Sequence, residues 1–175
     1  MAKILTHNLN AQKMIGNSTD TNNKTITINR TFDLPLETIW KAWTDPESMK
    51  KWWGPKEYTC PDCTIDFKVG GKFLASMQSK DGKKIWSTGT YKEIVPMKKI
   101  VNSDSFADEK GNIVPATYYK MSEDWALELQ VTTAFEEVDG KTNLSLQHAG
   151  LPAEISDECI NGWQSSFNKL EENFK

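Results

Sequence analysis

The stretch that most narrows the folds open to this chain is its last one, residues 152–175, PAEISDECINGWQSSFNKLEENFK. On a helical wheel Cys159, Ile160, Trp163, Phe167, Leu170 and Phe174 share one face at spacings of three and four, while Asp157, Asn161, Gln164, Asn168, Lys169 and Glu172 face away. A stripe this apolar needs a surface to lie on. Ser156 is placed to cap the helix N-terminus, and Asp157 and Glu158 put negative charge in the first turn, as the helix dipole favours. Most of what precedes is strand, so the simplest architecture is a sheet curved around this helix, with any ligand site between the two.

The rest of the chain supplies that sheet. Residues 1–23 end in the polar cluster GNSTDTNNK and are expected to form a flexible arm, leaving 24–175 as the folded domain. TITINRTF alternates Ile26, Ile28 and Arg30 against threonines and Asn29, which fits a first strand with one buried face. Asp33 as N-cap and Pro35 in the first turn open a short helix bearing Leu36, Ile39, Trp40 and Trp43; it stops at Asp45-Pro46. A second short helix carries Met49, Trp52 and Trp53 to Gly54-Pro55, and both tryptophans are expected to pack the helices against the rim of the sheet.

Strand patterns return from Tyr58. Gly70-Gly71 marks a bend, and the Asp81-Gly82 pair predicts a two-residue type I′ hairpin in which Met77 faces Trp86, Ala75 faces Thr88 and Phe73 faces Thr90, all on one face. The polar stretch ADEKGNIVPATYYKMSED is the longest excursion inside the domain, and such loops serve as lids or rims or simply connect. WALELQVTTAFEEV then alternates from Trp125 and Leu127 through Phe135; Asp139-Gly140 turns it so that Phe135 meets Leu144, Thr133 meets Leu146 and Val131 meets His148. One strand, two short helices, about six antiparallel strands and a long helix make an α+β fold.

Composition removes whole classes of function. At 175 residues, 38% hydrophobic and 26% charged, the chain has material for one domain with a sizeable core. The net charge of −3, without a basic cluster, speaks against nucleic acid or an anionic membrane as partner. No apolar run reaches membrane-span length, and the first residues lack the apolar core of a secretory signal, so the expected compartment is the cytoplasm. Three cysteines, an odd number, fit a reducing environment.

Few residues carry recognisable chemistry. Cys60-Pro61-Asp62-Cys63 is a CxxC without the second pair a zinc site needs, at the start of a strand rather than of a helix; two ordinary cysteines are the expectation, and no metal is assigned. His148 is the domain's one histidine, a weak catalytic candidate because no nucleophile or second group stands near it in sequence. Gly70-Gly71-Lys72-Phe73 precedes a strand, not a helix, which excludes a phosphate loop, and no motif implies a cofactor.

Six segments taken together resemble one family: TIWKAWTDPESMKKWWGP, IDFKVGGKF, WSTGTYKEIVP, DSFADEKGNIVP, LSLQHAGLP and the Gly162-Trp163 pair of the last helix. In this order, over residues 24–175, they resemble the activator of heat-shock-protein-90 ATPase homologue-like family of the START-like, birch-pollen-allergen-like (SRPBCC) superfamily. The resemblance implies a helix-grip fold, a curved antiparallel sheet of six or seven strands gripping the long C-terminal helix around a cavity. In such a fold the inward positions facing the cavity would be Met77, Trp86, Thr88 and Phe106 from the earlier strands, Trp125, Leu127, Leu129 and His148 from the last two strands, and Cys159, Trp163, Ser166 and Phe167 from the helix. Thr90 and Thr133 are further polar neighbours of that surface.

The expected function is non-catalytic binding of a small hydrophobic or aromatic molecule between sheet and helix. Two others remain open: a protein-interaction role on a chaperone ATPase, as the family name implies, and a cyclase- or hydrolase-like enzyme using His148. The superfamily spans carriers, cyclases and co-chaperone domains, so fold alone does not choose between them.

Overall fold

The computed structural model describes residues 23–175, and the arm expected over residues 1–23 falls almost wholly outside them. Seven strands form one antiparallel sheet: β1 (Asn23–Phe32), β2 (Cys63–Ile65), β3 (Lys72–Gln78), β4 (Lys84–Val95), β5 (Lys99–Ala107), β6 (Leu129–Val138) and β7 (Lys141–Pro152). Their spatial order is β1-β7-β6-β5-β4-β3-β2, so the meander from β2 to β7 is closed by the first strand pairing with the last. Two short helices, α1 (Leu36–Thr44) and α2 (Pro46–Met49), fill the β1–β2 connection, and the chain ends in α3 (Ser156–Phe174), which lies against the sheet. No helix among the described residues is long and apolar enough to cross a membrane.

Alternation decides which side chains meet α3. Ile26, Ile28 and Phe32 of β1, Leu144 and Leu146 of β7 and Val131 and Phe135 of β6 are buried on the helix-facing side. Arg30 shares that side with Ile26 and Ile28, where an unpaired charge would be costly. Its guanidinium instead donates to Gln164, to Asn168 and, at 2.9 Å, to Glu171, tying the sheet edge to the outer half of α3.

The two Asp-Gly hairpins turn differently. At Asp139-Gly140 both residues have positive φ, 52° and 75°, the type I′ geometry, and β6–β7 pairs as expected, with Val131 opposite His148. At Asp81-Gly82 only the glycine has positive φ; Gly82 N–H donates to Ser79 O and Ser79 N–H to Lys83 O, a type I turn followed by a bulge. That loop is one residue longer, so Met77 pairs with Ile85 and Ser76 with Trp86. The expected pairing of Met77 with Trp86 is therefore corrected: Trp86, Thr88 and Thr90 turn to the face away from α3.

The helix ends also depart from expectation. Ser156 is not a cap; a 3₁₀ turn over Ala153–Ile155 leads directly into α3, and the Ser156 hydroxyl points back toward Pro152 O. Asp33 does not cap α1 either: it pairs with Lys141, and the Leu36 N–H is taken by the Glu137 carboxylate of β6. Asp45 does cap α2. Its Oδ2 accepts from Ser48 N–H at 2.8 Å and from the Ser48 hydroxyl at 2.6 Å, and these bonds hold its carboxyl below the ordinary value. Asp45→Ala should cost about 1 kcal/mol in urea unfolding; an unchanged midpoint would remove the cap from the account.

Candidate functional site

The groove between α3 and the sheet is filled at one end and open at the other. Phe167 and Leu170 are fully buried and meet Phe32, Trp43 and Trp52 in an aromatic layer: Phe167 lies edge-on to Phe32 at 5.5 Å between centroids, and Trp43 stacks on Trp163 at 6.1 Å. Toward its N-terminus α3 presents the small residues Cys159, Gly162 and Ser166, which leave space between helix and sheet. The unfilled space is a cavity of about 530 Å³. Met77, Ile85, Phe106 and Leu129 form its sheet wall, Trp163 its floor, and Trp53, Pro55, Met121 and Trp125 its rim.

Both rim segments are anchored. Lys169, from the outer half of α3, donates to the carbonyls of Gly54 at 2.9 Å and Tyr58 at 2.8 Å, so an ammonium holds the loop that carries Trp53 and Pro55. Desolvation lowers its pKa from the ordinary lysine value. On the other side Trp125 packs edge-on to Phe106 at 5.1 Å, and the Tyr119 hydroxyl bridges the Ala107 carbonyl and the Trp86 N–H. The long polar excursion is thus a rim.

One polar group crosses the apolar lining. His148 of β7 is 5% exposed and sits between β5 and α3. Its Nε2 lies 3.3 Å from Asp104 Oδ2, an ion-pair distance, yet has no directed hydrogen bond. Its Nδ1 faces the Trp163 indole N–H at 3.3 Å and Cys159 Sγ at 3.7 Å. Burial opposes a charge on the imidazole, but Asp104 and Cys159 more than offset it, and the pKa is raised to about 9. Trp163 pulls the other way: its N–H can only donate, and it faces the nitrogen that would take the second proton.

Of the residues expected at the site, Met77, Phe106, Trp125, Leu129, His148, Cys159, Trp163 and Ser166 line the cavity. Four do not. Trp86 and Thr88 are on the other face because of the hairpin register; Trp86 lies under Lys84 there, and the Thr88 hydroxyl donates to Phe73 O. Leu127 precedes β6, which starts only at Leu129, and is 58% exposed. Phe167 belongs to the filled end of the groove. Thr133 is on the helix side but fully buried, away from the cavity wall.

Sequence reasoning missed Asp104, Ile85, Ser87 and Trp53. Asp104 alternates with Phe106 in NSDSF, and that period of two was the available signal. Ile85 and Ser87 were hidden by the one-residue register error, and Trp53 does pack at the rim as expected but also faces the cavity.

Cys60 and Cys63 are buried in the core. The Cys60 thiol donates to Asp62 O at 3.4 Å, and the proximity of the two thiols lowers the pKa of Cys60 and raises that of Cys63. Among the described residues no group of three or more His, Cys, Asp or Glu side chains is placed to hold a metal ion.

Solved structures repeat this architecture. A protein from Mycobacterium smegmatis superposes with a TM-score of 0.70 at 24% identity, over 89% of this chain and 96% of that one. One from Chromobacterium violaceum does so with a TM-score of 0.67 at 26% identity, over 86% and 97%. The AHSA1 protein from Silicibacter pomeroyi matches with a TM-score of 0.67 at 21% identity, over 86% and 96%. No curated protein matches the chain. The sequence pattern described as Activator of Hsp90 ATPase homolog 1-like protein matches residues 33–175, from the end of β1 through α3 and so through every wall of the cavity, and the chain belongs to that family.

Proposed function

We propose that the protein binds a small hydrophobic or aromatic molecule in the cavity between the sheet and the N-terminal half of α3. The observation that carries this reading is the cavity itself: about 530 Å³, within the range of small-molecule sites, with an apolar lining and few polar groups. Trp53, Trp125 and Trp163 offer faces for an aromatic guest. His148, Ser87 and Ser166 offer the few polar contacts that would orient it.

The test is titration with a neutral apolar fluorophore, N-phenyl-1-naphthylamine, followed through energy transfer from tryptophan. Saturation at one site per chain is expected. Ile85→Trp, which adds an indole to the cavity wall, should weaken binding at least about 10-fold, roughly 1.4 kcal/mol, with the melting temperature little changed. Emission that rises without saturating, or affinity indifferent to Ile85→Trp, would overturn the reading.

A further inference from the structure

The chain brings together a thiol, an imidazole and a carboxylate that no sequence motif joins. Cys159 Sγ lies 3.7 Å from His148 Nδ1, and His148 Nε2 lies 3.3 Å from Asp104 Oδ2. The three residues come from α3, β7 and β5, and each lines the cavity. A thiol beside one ring nitrogen and a carboxylate beside the other is the order of parts that activates a cysteine: the imidazole takes the thiol proton, and the carboxylate orients the ring and stabilises its charge. The 5% exposed imidazole leaves Nε2 without a directed hydrogen bond, as expected of a pair that tightens only when a guest arrives.

We infer that Cys159 is a nucleophile, activated by His148 with Asp104 as its positioning residue, and that the cavity captures apolar α,β-unsaturated carbonyl compounds by thiol addition. At pH 7 His148 already carries its second proton, held by Asp104, so Cys159 attacks as a thiolate beside the imidazolium, its own proton having passed to solvent. A sulfur lone pair forms the C–S bond to the β-carbon, and the C=C π pair moves onto the α-carbon and carbonyl oxygen. A proton is then delivered from the imidazolium to the α-carbon, and the imidazole recovers one from solvent. Nothing is oxidised or reduced, no group leaves and no co-reactant is needed. The buried Ser87 hydroxyl has no hydrogen-bond partner and belongs to the same lining, where it is available to the carbonyl oxygen as that atom gains charge. Cys60 and Cys63 are buried away from the cavity and serve as internal controls.

The inference rests on the cavity admitting an apolar guest, and the experiment separates the two. Folded protein at pH 7 is treated with N-phenylmaleimide, and the labelled cysteine is identified by peptide mass mapping. N-phenylsuccinimide, the saturated analogue that cannot react, is titrated in parallel against tryptophan fluorescence. Labelling at Cys159, at least about 10-fold faster than in His148→Gln and slowed in Asp104→Asn, is the expected result, with succinimide affinity measured in each variant so that lost rate is read apart from lost binding. Equal rates in wild type and Asp104→Asn overturn the inference even if His148→Gln fails to fold, and saturable succinimide binding then leaves the cavity reading standing. Neither labelling at Cys159 nor succinimide binding removes both.

Discussion

Replacing Phe167 with alanine should cost about 3–5 kcal/mol of folding stability and lower the melting temperature by roughly 10 °C. The ring has no exposed surface; it is wedged edge-on against Phe32 at 5.5 Å and lies within 6.4 Å of Trp163, Trp52 and Trp43. Truncation leaves a void among rigid aromatic and strand neighbours that cannot collapse onto it, which sets the cost at the high end for a large-to-small change. Urea unfolding of the variant measures it. A loss below about 1 kcal/mol would mean that Phe167 faces the cavity, as expected from its inward position on the helix, rather than core.

Folding stability should also fall as pH rises from neutrality to about 9.5, through His148. Its pKa in the folded chain is raised from 6.5 to about 9, so the folded state holds a proton that the unfolded chain releases. The contribution is complete below about pH 6.5 and is lost as pH climbs through about 9. At about 1.4 kcal/mol per pH unit the interval is worth up to about 3 kcal/mol, trimmed by the Trp163 N–H that faces Nδ1. Lys169 opposes this trend, because its lowered pKa gives a contribution that grows with pH, and so does the lowered Cys60 thiol. The discriminating measurement is therefore the stability difference between wild type and Asp104→Asn. That difference should be large at pH 6 and nearly vanish at pH 9.5; one that is constant with pH would show that Asp104 does not hold the proton on His148.

The same groove explains why some of the site was legible beforehand and some was not. The stripe on α3 and the alternation of β6 and β7 are local periodicities, and they placed Trp163, Cys159, Leu129 and His148 on the correct surfaces. A type I′ reading of the two-residue signal Asp81-Gly82 sets Met77 opposite Trp86, yet Asp81 keeps negative φ while Asp139 adopts 52°. A dipeptide permits either turn, and the choice depends on which register best pairs the flanking strands. One residue of loop moved Trp86 and Thr88 across the sheet and brought Ile85 and Ser87 into the cavity.

By itself, then, the sequence determined an antiparallel sheet curved around a long terminal helix, because period-two and period-3.6 stripes must bury against each other, and its resemblance to the family implied the helix grip. Whether the space between helix and sheet is core or cavity was decided only in three dimensions. It depends on which volumes meet: Phe167 and Leu170 against Phe32 and Trp52 leave no room, whereas Cys159, Gly162 and Ser166 against Ile85 and Phe106 leave about 530 Å³. The contact of His148 with Asp104 and Cys159 is tertiary for the same reason, since three groups separated along the chain acquire joint chemistry only when β5, β7 and α3 set them within 4 Å.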